Sequence, residues 1–213
     1  MTNIYSSKGS KVIKNEDNIY TLESSNSLFL SYLTNVIPNI SKRNPSSIVF
    51  QSKSVMTLSQ QLAHHKHGLS YEAVDGIMRQ IIKQIKFFEQ NQFGLLFVSP
   101  EDIIVISNDI YVIANMDAFK RENNGILVVD TPYKKDNFKS PEFHSIRSLP
   151  YRVSYKSGYY SVACVGVYCL FKVNIHDKSD IDEMLLPILQ TSLYWFLKRA
   201  LNKNLKDRFL ILI

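Results

Sequence analysis

The run Val162-Ala163-Cys164-Val165-Gly166-Val167-Tyr168-Cys169-Leu170-Phe171 carries no charge on any face. A lone surface helix shows a polar stripe at a period of 3.6 residues, and this run shows none. The apolar stretch around it, Ser161–Val173, is shorter than the roughly 20 residues that span a bilayer. It must therefore be enclosed by other elements. The sequence predicts a buried axial helix from Ser157 to Val173, wrapped by helices over 71–90 and 184–201. Gly166 in mid-helix costs about 1 kcal/mol against alanine and marks close approach of another backbone. Cys164 and Cys169 lie in the same run. Five residues apart on a helix they face different sides, so they read as reduced core thiols without a disulfide.

At 213 residues the chain makes one medium domain or two small ones and can bury a sizeable core. Its composition, 45% hydrophobic and 21% charged, excludes global disorder. Net charge is 25 − 19 = +6, spread without a run of like charge. That permits acidic partners and gives no sign of a nucleic-acid arm. The polar start, Met1–Ser10, is no signal peptide. An intracellular chain with no membrane span is the expectation. Richness in Asn, Ile, Lys and Tyr suggests an AT-rich coding bias, as in large DNA viruses and some parasites, so a viral protein in host cytoplasm or virion fits.

Local signals set the remaining elements. A weak hairpin is expected from Lys11–Ile13 against Ile19–Leu22. A helix capped by Asn26 or Ser27 runs to Val36 and is stopped by Pro38. A turn at Asn44-Pro45-Ser46 precedes a buried strand at Ile48–Phe50. Thr57–His65 reads as a short helix. Ser70 caps a long one over 71–90, striped by Val74, Ile77, Ile81, Ile85 and Phe88. Strands 103–106 and 110–113 flank the turn Ser107-Asn108-Asp109. Phe119–Lys139 reads as irregular, and Asp177–Glu183 as a polar loop. The last helix spans Met184–Leu201, with Leu185, Ile188, Leu189, Leu193, Phe196 and Leu197 on its apolar face. The class is α+β.

Several fragments, in this order, resemble the protein-kinase fold. Ile37-Pro38-Asn39-Ile40 is similar to the HPNI signature after the αC helix, and Ile48–Gln51 to the strand before the hinge. Met56–Leu62 is similar to the hinge-to-αD passage, and helix 71–90 sits where αE belongs. Ser99-Pro100-Glu101-Asp102-Ile103-Ile104-Val105 resembles K-P-E-N-I-L-V, and Ser140-Pro141-Glu142 resembles A-P-E. Lys156–Ala163 is similar to the start of αF, and Leu197–Leu201 with Asp207-Arg208-Phe209 to the closing helix and its arginine. The resemblance implies a kinase-like fold with a truncated N-lobe-like segment over 1–55 and a C-lobe over 56–213. It also implies a structural ion pair between Glu142 and Arg208. Ser99-Pro100 further resembles KIND domains, kinase C-lobes turned protein-binding modules.

The same alignment lacks the chemistry. Pro100 sets the register, so the catalytic aspartate position, whose carboxylate would accept the substrate proton, is Phe97. The D-F-G aspartate position falls on Asn115, a neutral and poorer Mg²⁺ ligand. No G-x-G-x-x-G occurs. The αC glutamate position is near Leu28, and Lys8, Lys11 and Lys14 are unselected candidates for its lysine partner. Fewer than thirty residues precede αC, too few for a five-stranded lobe. The family's αF aspartate position is Gly158. The resemblance therefore implies a catalytically inactive module without a cofactor. Its partner would be an unidentified protein, and it would not bind ATP. The alternative is an atypical serine/threonine kinase that uses Asp102 and Asp117 as acid–base or metal residues, although two carboxylates without a phosphate make a poor Mg²⁺ site.

Three other features have plainer readings. His64-His65-Lys66-His67 reads as a solvated helix end, where histidines suit the negative C-terminus. Trp195 reads as core or semi-buried packing, and Thr131 and Tyr133 as ordinary loop residues.

Overall fold

The structure, a computed structural model, describes residues 1–133, 137–175 and 181–212. In chain order it begins β1 (Thr2–Ser6), β2 (Ser10–Glu16), β3 (Ile19–Ser24), α1 (Ser27–Val36), β4 (Ile40–Asn44), β5 (Ser47–Gln51), β6 (Val55–Thr57), α2 (Leu58–Ala63) and α3 (Tyr71–Gln90). It continues β7 (Phe93–Leu95), β8 (Ile103–Ile106), β9 (Ile110–Ile113), β10 (Phe119–Arg121) and β11 (Ile126–Val129). The rest is α4 (Pro141–His144), β12 (Tyr151–Ser154), α5 (Ser157–Phe171), α6 (Ile181–Leu185) and α7 (Ser192–Ala200). The fold is α+β. Contacts divide the chain into two compact units, Met1–His64 with Pro100–Ala118, and His65–Ser99 with Phe119–Ile213. The 55/56 boundary expected from sequence falls inside the first unit.

The first unit contains an antiparallel sheet of order β1-β2-β3-β5-β4. Alternation directs one face inward: Val12 pairs with Leu22, Leu22 with Ile48 and Tyr20 with Phe50, and all five are buried. α1 adds Phe29, Leu30 and Leu33 to that core, and Asn26 caps it by accepting from the Phe29 N–H at 3.0 Å. The sequence had room in its first 27 residues for one weak hairpin. They form three strands, because β1 is too exposed and polar to show an apolar alternation. The β8–β9 hairpin forms as expected. Ile106 pairs with Ile110 across the three residues 107–109; Ser107 and Asn108 both take positive φ, 53° and 63°, and the Asp109 N–H donates to the Ile106 carbonyl at 3.1 Å. Helix α2 stops at Ala63, two residues early. Its N-terminus has a capping box between Thr57 and Gln60.

In the second unit α5 is the axis. Thirteen of its fifteen residues, from Ser157 to Leu170, are buried, and it packs against α3 and α7. Cys164 and Cys169 are free and buried, and burial pushes the Cys169 thiol up to about 12. Gly166 differs from the expectation. A Cβ there would stand 3.1 Å from Leu197 Cδ2 and 3.2 Å from Met78 Sδ, which are side chains and not backbone. The backbone approaches are at two other glycines. Gly158 faces the Leu95 carbonyl, and Gly68, at φ +87°, faces the Leu170 carbonyl.

Three further expectations are corrected. Phe119–Lys139 contains β10 and β11, which pair with β7 and β12. These strands of three and four residues are too short to show a period. Residues 177–180 of the polar loop lie outside the described residues, whereas 181–183 begin α6. The final helix is interrupted. Gln190 takes φ 69° and Thr191 starts a new helix by accepting from the Tyr194 N–H at 3.1 Å. Leu189 is consequently exposed, whereas Leu185, Ile188, Leu193, Phe196 and Leu197 are buried. Among the described residues no helix is long and apolar enough to cross a membrane.

Two glycines separate packing from propensity. Gly76 in α3 has nothing within 4 Å of a built Cβ, so Gly76→Ala should stabilise by about 0.5–1 kcal/mol. Gly158→Ala drives a methyl into the Leu95 carbonyl and should destabilise by about 1–3 kcal/mol or more. Urea unfolding midpoints check both signs.

Candidate functional site

In the first unit the β8–β9 hairpin closes at its base through the Ala114 N–H, which donates to the Asp102 carbonyl at 2.8 Å. That closure sets Asn115 beside Asp102, and the Asn115 amide donates to Asp102 Oδ1 at 2.9 Å. Asn115 Oδ1 is buried and receives no hydrogen bond. The turn between β1 and β2 lies on this segment. The Ser10 hydroxyl donates to the Ala114 carbonyl. A Cβ at Gly9 would be 3.0 Å from Met116 Cβ and 3.7 Å from Asp117 Oδ1. Burial, and then the Asp102 carboxylate, push the Tyr5 phenol up. Asp117 itself is exposed. The structure thus sets Asn115 against Asp102 and the Gly9 turn against Asp117. It spends the amide on one carboxylate and fills the adjoining space with the turn.

In the second unit Phe97 follows β7. The segment is clamped to α5 by the Ser161 hydroxyl, which accepts from the Val98 N–H at 2.8 Å and donates to the Val98 carbonyl at 2.9 Å. Phe97 joins a cluster built on Leu96, Leu127, Val129, Phe143 and Val153. Its ring meets Phe143 edge-on at 5.7 Å and Tyr133 at 6.2 Å. The Tyr133 hydroxyl donates to the Phe143 carbonyl at 2.7 Å. Over the Phe97 face, 4.2 Å from its centroid, stands Lys139 Nζ, which is also 5.6 Å from the Tyr133 centroid. Lys139 is only 2% exposed. The rings' negative faces hold this ammonium by cation–π attraction, which strengthens where water is excluded. A phenyl ring beneath an ammonium can neither accept a substrate proton nor orient a hydroxyl.

Glu142, in α4, meets Arg208 in a two-pronged pair, at 2.8 Å to Oε1 and 3.0 Å to Oε2. Arg208 is fully buried. It also donates from Nε to the Asn202 carbonyl at 2.6 Å, and its guanidinium lies 5.0 Å from the Tyr160 ring centroid. Burial alone would raise the Glu142 carboxyl. Burial is the largest single influence, but the Arg208 hydrogen bonds and charge, together with further hydrogen bonds to the carboxylate, outweigh it, and the net shift is downward. Glu142 is half-buried and Arg208 fully buried, and the pair ties α4 to the chain after α7.

The remaining candidates stay apart. His64 caps the end of α2, and no group of three or more metal-ligating side chains occurs among the described residues. Trp195 is 49% exposed, so it is not core. Sequence reasoning missed Lys139, Ser161 and Ser10. A lysine or serine in a loop or an apolar helix has no pattern that reveals its partner. The close backbone contact at Gly158 was likewise missed, the sequence having placed such an approach at Gly166. No known protein family matches the chain, and no characterised protein is similar to it in sequence.

Glu142→Ala and Arg208→Ala should each cost about 3–5 kcal/mol, because each leaves a buried charge unpaired. The double variant should cost less than their sum by about 1–3 kcal/mol in a double-mutant cycle. A depressed carboxyl contributes stability that is full above its unfolded value, near pH 4.3, and is lost as the pH falls through the lower folded value. The wild type should therefore lose urea resistance between about pH 5 and pH 3. Glu142→Gln should flatten part of that loss.

Proposed function

We propose that the chain is a catalytically inactive protein-kinase-like domain that works inside the cell by binding another protein. The kinase-like reading rests on the order of the quoted motifs. The inactivity rests first on Phe97, whose ring is packed under the Lys139 ammonium at the position where the family carries its proton-accepting aspartate. Two observations in the first unit and one in the sequence support the same reading. The Asn115 amide is spent on Asp102. The Gly9 turn is pressed against Met116. No glycine-rich cradle for phosphates exists in the sequence. Fold-level resemblance does not by itself carry activity, and what remains of the pattern, Glu142 with Arg208, is structural.

The alternative, an atypical kinase that recruits Asp102 and Asp117, needs both carboxylates to face a metal-bound phosphate. Asp102 already accepts from Asn115, and the β1–β2 turn occupies the neighbouring space, so the inactive reading is favoured.

Thermal unfolding with and without ATP and Mg²⁺ tests this. A nucleotide at 100 times its dissociation constant would add about 2.7 kcal/mol of apparent stability. No shift in Tm and no phosphate transfer to a generic acceptor are expected. A rise in Tm, together with phosphate incorporation abolished by Asp102→Ala plus Asp117→Ala, would establish the alternative.

A further inference from the structure

The end of the second unit carries a groove of about 540 Å³. α7 and the chain after it line it, with Trp195, Lys198, Arg199, Asp207, Phe209 and Ile211 among the lining residues. Trp195, Phe209 and Ile211 are 49%, 45% and 42% exposed. They are not displaced core residues. On α7, Phe196, Leu197 and Ala200 are buried, and in the tail Arg208 and Leu210 are buried while Phe209 and Ile211 between and beyond them are exposed. The core is complete without the exposed three, which converge on one concavity. Clustered exposed apolar side chains mark interaction sites, whereas scattered ones do not. Trp and Arg are also the residues that most often dominate binding energy.

Charge selects the occupant. Lys156 Nζ stands 4.7 Å from the Phe209 ring centroid and donates to the Lys206 carbonyl at 3.1 Å. Lys203 and Lys206 are exposed on the same stretch of chain. The nearby carboxylates are engaged: Asp182 pairs with Lys198 at 3.2 Å, and Asp207 accepts from Asn204 at 2.9 Å. The charged lining is Lys198 and Arg199 against Asp207, 2 − 1 = +1, and exposed Lys203 and Lys206 add positive charge on the adjoining chain. A second copy of this chain, at +6, would bring like charge to the groove. A flat bilayer would not fill a concavity.

We propose that this groove receives an acidic segment of a partner protein. One aromatic or branched aliphatic side chain of that segment seats among Trp195, Phe209 and Ile211, and its carboxylates face Arg199, Lys203 and Lys206. The proposal rests on the protein-binding reading and gives it a surface and a partner chemistry.

The test pans a displayed library of random peptides of about 16 residues, long enough to fill a groove, against the full chain. Affinities of the selected peptides are then read by fluorescence anisotropy against wild type, Trp195→Ala and Arg199→Glu. Trp195 is exposed and Arg199 half-buried, and circular dichroism verifies folding; Phe209→Ser replaces either variant that fails. Expected are mutually competing peptides with several carboxylates around an apolar anchor. They should lose about 30-fold in affinity on Trp195→Ala, the size of a hot-spot truncation. Arg199→Glu should weaken them about tenfold, and lysine-for-glutamate peptides should recover part of that loss. Tight binders that neither variant weakens would overturn the groove while leaving the binding-module reading intact. Groove-dependent binders without net negative charge would overturn the acidic partner. If no peptide is selected and phosphatidylserine vesicles bind in a Trp195-dependent way, the occupant is a lipid surface and the proposal falls. If neither binds, the binding-module reading falls with it.

Discussion

An uncharged helix without a polar stripe can exist in water only inside other structure, and α5 imposes that condition on the second unit. Enclosure from all sides needs room, and small residues along α5 provide it. Gly158 admits the Leu95 carbonyl, and Gly166 admits Leu197 and Met78. Ser161 offers one hydroxyl that both donates to and accepts from the Val98 backbone. At the far end, the Leu69 N–H donates to the Cys169 carbonyl at 2.7 Å, and Lys172 closes the helix in the left-handed region. The helix is thus capped by neighbouring backbone as well as wrapped by side chains. A buried segment must meet that requirement for its polar groups.

The Arg208–Glu142 pair depends on that enclosure and extends it. Arg208 donates four hydrogen bonds: two to Glu142, one to the Asn202 carbonyl and a longer one to the Lys203 carbonyl at 3.4 Å. A fully buried guanidinium tolerates few unmet donors. A buried ion pair adds little net stability over an apolar replacement, but it fixes geometry. Holding Arg208 inward forces the extended tail to alternate, so Leu210 turns in while Phe209 and Ile211 turn out. The groove beside Trp195 is a consequence of that anchoring.

Much of the local structure was legible because its signals are short-range. Asn26, Thr57 and Ser70 all cap the helices that follow them, and the stripe of α3 is a direct reading of period 3.6. What failed was set at long range. β11 pairs with β12 across a separation of more than twenty residues, and nothing within four residues reveals it. β1 has only the adjacent Ile4 and Tyr5 as large apolar side chains, no alternation to read, and is a strand through its ladder with β2. At the candidate site the sequence named Phe97, Asn115, Asp102 and Asp117 but not what they touch. Lys139 over the Phe97 ring, the Ser10 hydroxyl on Ala114 and the clamp of Ser161 on Val98 each join residues 40 or more positions apart.

On the kinase-like reading, the two degenerate positions have not been left as vacancies. Phe97 is one wall of an aromatic cluster that includes Tyr133 and Phe143, and Lys139 adds its charge to the ring face. Returning a carboxylate there would remove a ring from a packed cluster, a change of a kind that costs about 3–5 kcal/mol. The new carboxylate would then meet the Lys139 ammonium before any substrate. At Asn115 the amide bridges to Asp102 as a donor, and an aspartate in its place would set two carboxylates at hydrogen-bond distance, where both cannot remain ionised. Phe97 and Asn115 are thus each held by an interaction that supports the fold.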